Sequence, residues 1–133
     1  VSFESDLKDF ELKFDSASND FVQGVEISLF RSVIMDTPAD TGRLAGNWQT
    51  TTANPAVGEL DTLDPTGGAT VDKMTSFVSA LKGGRVTFLT NNLPYAQRIE
   101  YGHSRIKAPE GMVRKNVARF KSIVKDMAVE HKV

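Results

Sequence analysis

The sequence predicts an α+β fold: a small antiparallel sheet packed by long N- and C-terminal helices, with short helices between the strands. Three observations predict it. Apolar residues near both ends recur at alternating spacings of four and three, the helical period. Two interior segments, 43–52 and 85–91, alternate with the period of a strand. Between them, Pro, Gly, Asn and Asp gather at points where a chain must turn. Nothing repeats internally, and 133 residues with 40 % hydrophobic content suit one domain with a modest core.

The first element is a helix over 3–35. Phe3, Leu7, Phe10, Phe14, Ala17 and Phe21 fall on one stripe, continued by Val25, Leu29 and Val33 and widened by Val22, Ile27, Phe30 and Ile34. Unbroken, it would reach about 50 Å at ~1.5 Å per residue. A compact chain of this length has a radius of gyration near ~14 Å. Part of the stripe therefore meets another subunit, or the helix bends at 16–19 or at Gly24. Pro38 ends it by about Thr37, because proline lacks an amide hydrogen and pushes its predecessor out of the helical region.

Asp40, Thr41 and Gly42 make the turn. Arg43–Thr52 is then read as a strand anchored by Trp48, with Leu44, Gly46, Trp48 and Thr50 on one side. Residues 53–70 are an extended loop by composition, and a loop of that length is usually functional or disordered. Its removal over 55–68 is expected to leave the fold intact and impair docking. Val71, Met74, Val78 and Leu81 mark a short amphipathic helix stopped by Gly83 and Gly84. Arg85–Asn91 is the clearest strand. A short helix follows, capped by Asn91 or Asn92, opened by Pro94 and closed by Gly102. From Ala108 the last helix carries Val113, Val117, Phe120, Val124 and Met127 on its apolar face.

Net charge is −1, but it is unevenly placed. Residues 1–20 hold six acids against two lysines, and residues 105–125 hold seven bases against Glu110 alone. Opposite ends of opposite sign suit pairing within the chain or between copies, while much exposed charge is simply solvated. Phe3, Leu7, Phe10, Phe14, Arg114, Arg119 and Lys121 are accordingly the candidate subunit interface. No apolar run approaches the roughly 20 residues of a membrane helix, and the acidic opening lacks the pattern of a signal peptide. With no cysteine and only two histidines, thiolate and histidine metal sites are not expected. No cofactor motif is present: Gly67-Gly68 lacks the Lys-Ser/Thr of a phosphate loop, and no serine, cysteine or aspartate spacing makes His103 part of a triad.

The Asp40-Thr41-Gly42 triplet resembles that of the aspartic proteases, in which two copies of the triplet share a proton between carboxylates. There it follows an apolar strand and precedes a small residue. Here a helix exit precedes it, Arg43 follows, and the chain ends are helical. The residue-level reading of Asp40 is an organiser of the turn. A basic C-terminal helix on nucleic acid is a further alternative.

Taken together, the punctuation resembles the tailed-phage neck and tail-completion proteins, the group that includes minor tail protein Z-like chains. The first signature is Thr-Pro-x-Asp-Thr-Gly-Arg-Leu-x-x-x-Trp at 37–48, after a long N-terminal helix. The second runs from Thr90-Asn91-Asn92-Leu93-Pro94-Tyr95-Ala96 into Ile99-Glu100-Tyr101-Gly102, then Ala108-Pro109 and a helix beginning Gly111-Met112-Val113-Arg114. The 108–114 segment departs from the family's Pro-x-x-Phe-hydrophobic-Arg-Pro by lacking the Phe and the second Pro. The resemblance implies a non-enzymatic virion protein at the head–tail junction, made in the bacterial cytoplasm. Such proteins form rings, typically hexameric, that meet connector or head-closure proteins on one side and tail tube or terminator proteins on the other. DNA at most passes through the lumen. A tail terminator or tube-capping ring of similar fold is the neighbouring alternative. By the same resemblance Asp40, Thr41, Gly42, Arg43 and Trp48 fix the helix-to-strand corner. Asn92, Tyr95, Ala96, Glu100, Tyr101 and Gly102 shape the strand-to-helix corner. The residues themselves suggest a buried tie of Arg43 to Asp40 or Glu100.

Overall fold

The computed structural model describes residues 12–13, 19–38, 41–82, 86–101, 111–119, 122 and 124. These form strand β1 (Leu12–Lys13), helix α1 (Asn19–Met35), a helical turn α2 (Arg43–Gly46) and strand β2 (Gln49–Thr52). Helix α3 (Gly68–Ser79), strand β3 (Val86–Thr90), helix α4 (Ala96–Glu100) and helix α5 (Val113–Ala118) complete them. The class is α+β, as the periodicities predict.

The sheet is antiparallel, in the order β1-β3-β2. β3 is central and its residues 87–90 are all buried. It pairs with β2 from Gln49 opposite Thr90 to Thr52 opposite Thr87. On its other side Leu12 lies opposite Thr87 and Lys13 opposite Val86. This overturns the single helix expected over 3–35. A buried central strand must pair its backbone groups on both sides, and residues 12–13 supply the second partner. The helix starts at Asn19, with Asp20 in its first turn, where the helix dipole favours an acid.

The 43–52 strand is also shorter than its pattern suggests. Gly42 adopts φ +84, a left-handed conformation that glycine takes without a Cβ penalty. The chain then coils for one turn, its amide at Gly46 bonding the Gly42 carbonyl at 2.9 Å. Only after Asn47 and Trp48 does it extend. The alternation of Leu44 and Gly46 belongs to a helical turn pressed against the loop: a Cβ on Gly46 would lie 2.5 Å from the Thr62 carbonyl oxygen.

The core joins the helices to β3. Phe21, Val25, Leu29, Phe30, Val33 and Ile34 of α1 meet Leu44, Trp48, Val71, Met74, Val78, Leu89, Leu93, Ala96, Met112 and Val113. α1 packs against both α3 and α5. The Gln23 amide donates to the Leu81 and Ser79 carbonyls at 2.9 and 3.0 Å, satisfying acceptors left over at the end of α3. In α5 the buried set is shifted from the expected one. Val117 is 47 % exposed, while Asn116 is fully buried. The Asn116 amide donates to Asp36 and to the Met112 carbonyl, bonds that make its burial tolerable.

The 53–70 loop is not a detachable projection, and α3 already begins within it at Gly68. Asn47, fully buried, donates to the Leu60 carbonyl at 2.9 Å and accepts from the Leu60 amide at 2.7 Å. Gln49 and Asn92 both donate to the Gly58 carbonyl, and Asn92 also to that of Ala56. The Asp64 amide donates to the Gly42 carbonyl. These ties contradict the expectation that the fold is indifferent to residues 55–68.

Candidate functional site

The two signature segments, some fifty residues apart in sequence, meet at one corner. On the first, the Thr37 hydroxyl donates to the Val33 carbonyl at 2.8 Å, closing the end of α1. The same hydroxyl accepts from the Trp48 indole at 2.8 Å. Trp48 is 3 % exposed, so its N–H needs this partner. Thr41 turns its hydroxyl to the Arg43 amide. Asp40 lies outside the described residues.

On the second segment, the Asn91 amide donates to the Leu44 carbonyl at 2.8 Å, and its oxygen accepts from the Leu93 amide. Asn91 thus bolts one corner to the other. Asn92 reaches the loop, Ala96 is fully buried, and Tyr95 stays 38 % exposed. Between the segments lies a cleft of about 150 Å³, lined by Pro38, Thr41, Gly42, Arg43, Leu44, Tyr95 and Ile99.

Glu100 is 1 % exposed and does not pair with Arg43. Its carboxylate accepts from the amides of Met112 and Val113, both at 2.8 Å, and from the Arg114 amide at 2.9 Å. These are first-turn amides of α5, which have no partner inside their own helix. The Arg114 guanidinium donates to the same carboxylate at 3.1 Å, bonds the Glu100 carbonyl, and lies 4.7 Å from the centre of the Tyr101 ring. Arg43 pairs instead with Glu59, at 3.2 Å and with both side chains well exposed. Such a surface pair contributes little.

Asp64 performs the corresponding task for α3. Its carboxylate accepts from the Thr70 amide at 2.7 Å and the Thr70 hydroxyl at 2.6 Å. Burial pushes this carboxyl up. The hydrogen bonds from Thr70, and from the Ala69 and Gly67 amides, outweigh it and hold the group below its ordinary value of 3.8. The folded state therefore binds its proton less readily than the unfolded chain. The resulting stabilisation is complete above the ordinary value and is lost as pH falls through the lowered one. Asp64→Asn is expected to destabilise the protein near neutral pH. The gap from wild type should narrow on acidification below about 4, as urea titrations at neutral and acid pH would record.

Of the candidate interface residues, Phe3, Leu7, Phe10, Phe14 and Lys121 lie outside the described residues, as do Gly102 and His103. Arg114 is engaged by Glu100 and Tyr101. Arg119 is half exposed and 3.9 Å from Asp36, which Lys115 also approaches at 3.6 Å. Among the described residues no group of three His, Cys, Asp or Glu side chains could hold a metal ion. Among them, too, no helix is long and apolar enough to cross a membrane.

Asn47 and Asp64 carry ties that the sequence pattern does not mark, and Asn91, expected as a helix cap, instead joins the two corners. Asn91 sits inside the second signature, and Asn47 next to the Trp that ends the first. Asp64 had a signal in its Asp-Pro-Thr-Gly-Gly setting ahead of an apolar-periodic helix, since acids favour helix starts. Chemically, the arrangement fixes backbone at turns: the corner's buried polar side chains direct their atoms to main-chain groups. Comparison with family models, with curated proteins and with solved structures finds no match to this chain.

Proposed function

We propose that this chain is a structural protein of the head–tail junction of a tailed bacteriophage, of the neck or tail-completion kind. It acts as a ring of identical copies, a hexamer, joining or completing the tail at the connector. The observation that carries the reading is the union of the two signatures. Asn91 of the second bonds Leu44 of the first, and Tyr95 and Ile99 face Thr41–Leu44 across one cleft. Matching two loose motifs by accident requires no such meeting in space. The corner is built from caps and anchors, the parts a ring subunit needs to hold its shape under load, which supports a non-enzymatic role.

The partners on this reading are other copies of the chain, the connector or head-closure proteins, and the tail tube or terminator. Its place is the virion, with DNA passing through the lumen. A terminator or tube-capping ring is the nearest variant of the same proposal. The test is the mass of the purified chain in solution, followed by electron microscopy of the protein mixed with purified tails and with purified connectors. A closed ring seated at the connector end is the expected result. A stable dimer that cleaves peptides would overturn it in favour of the Asp-Thr-Gly protease.

A further inference from the structure

We propose that the acidic loop 55–64 of one copy docks on the basic, outward face of α5 of the next copy, around Val117. The inference rests on the ring reading above and supplies its contact. The loop presents Val57 at 91 % and Leu63 at 62 % exposure. From 44 to 72 the chain contains no lysine or arginine, whereas Glu59 and Asp61 lie within the loop; Asp64 is buried against Thr70 and adds nothing to this surface. Glu59 is shared with Arg43, and Asp61 has no ion-pair partner among the described residues.

The α5 face is its complement. Val117 is 47 % exposed, with Arg114, Lys115 and Arg119 within three positions of it. Glu100 answers Arg114, and among the described residues only Asp36 answers both Lys115 and Arg119, which leaves these bases in excess among the described residues. An apolar centre with a rim of one sign on each surface, and opposite signs across, is how protein surfaces select each other.

Single exposed apolar residues are ordinary; rigidity is what sets this loop apart. Side chains of Asn47, Gln49 and Asn92 and the Gly42 carbonyl hold it at Leu60, Gly58, Ala56 and Asp64. A surface already fixed loses little entropy on docking. Because loop and helix are different patches, the contact is head-to-tail, and it closes into a ring when the rotation between copies divides a full turn.

The chain has no cysteine, so introduced thiols report without background. Val57→Cys and Val117→Cys are exposed substitutions. A disulfide requires their Cβ atoms to approach within about 3.5–4.5 Å. Under mild oxidation of the purified full-length double variant, the expected result is a ladder of covalent multimers ending at one closed size. Each single variant stays unlinked. Dimers from Val57→Cys or Val117→Cys alone would mean like patches facing each other and would overturn the proposal. Rings that form without cross-links in the double variant overturn this contact and leave the ring reading standing. Absence of both cross-links and rings, with tails and connectors present, overturns the two together.

Discussion

Replacing Glu100 with alanine is expected to destabilise the protein by about 2–6 kcal/mol. Two buried amides, those of Met112 and Val113, lose their acceptor, and each buried donor left unsatisfied costs about 1–3 kcal/mol. The Arg114 amide is part-buried and its guanidinium half exposed, so both can turn to water, and the ion pair itself adds little to the total. Loss on this scale is a large share of the about 5–15 kcal/mol that holds an ordinary domain. α5 should loosen first, since its first turn is tied to the body by this carboxylate. Glu100→Gln keeps one acceptor oxygen but turns an N–H toward donors, and it should fall between wild type and alanine. Urea denaturation followed by circular dichroism measures both. A loss below about 1 kcal/mol for alanine, the worth of one ordinary hydrogen bond, would refute the capping role.

The same carboxylate illustrates what could be read in the sequence and what could not. That Glu100 belongs to a structural corner was legible from the Ile99-Glu100-Tyr101-Gly102 punctuation. Its partner was not, because a side chain that caps a helix beginning a dozen residues later leaves no periodic trace. Strand β3, helices α3 and α4 and the anchoring of Trp48 were legible, since each rests on local pattern: alternation, helical spacing, one large apolar residue. The asparagine cap expected for α4 was not borne out, because the helix starts at Ala96 with Tyr95 at its N-cap and no side-chain cap bond. The misses share a cause. Leu12–Lys13 pairs with β3 because the sheet needs an edge there, and two residues of strand are invisible against a surrounding stripe of phenylalanines. Residues 16–20 did carry a hint, Ser-Ala-Ser-Asn-Asp, rich in cap formers just where α1 begins. In α5, the apolar spacing chose Val117, and the fold buried Asn116 instead, because Asp36 lay within reach of its amide. Tertiary hydrogen bonds rotate a helix by about one residue without altering its pattern.

Gly42→Ala should be among the most damaging single-methyl changes in the chain, and Gly58→Ala provides its control. The two glycines have nearly the same backbone, φ +84 and φ +83. An alanine in the left-handed region costs about 1–2 kcal/mol in either place. Their surroundings differ. A Cβ at Gly58 meets nothing within 4 Å, whereas at Gly42 it would overlap the Pro65 nitrogen and the Asp64 backbone, with the Asp64 nitrogen 2.6 Å away. The 64–65 segment would have to retreat, breaking the Asp64–Gly42 hydrogen bond and pulling Asp64 from Thr70 at the start of α3. Each of these bonds contributes about 1 kcal/mol, and those to the charged carboxylate about 1.5–3. Gly58→Ala should therefore cost about 1–2 kcal/mol and Gly42→Ala at least twice that. The difference, read from paired urea titrations, isolates the close approach of backbone to backbone. Equal losses would mean that conformation alone requires glycine in the Asp-Thr-Gly triplet. A larger loss at Gly42 would mean that the triplet's glycine is there so that the loop can lie against the corner.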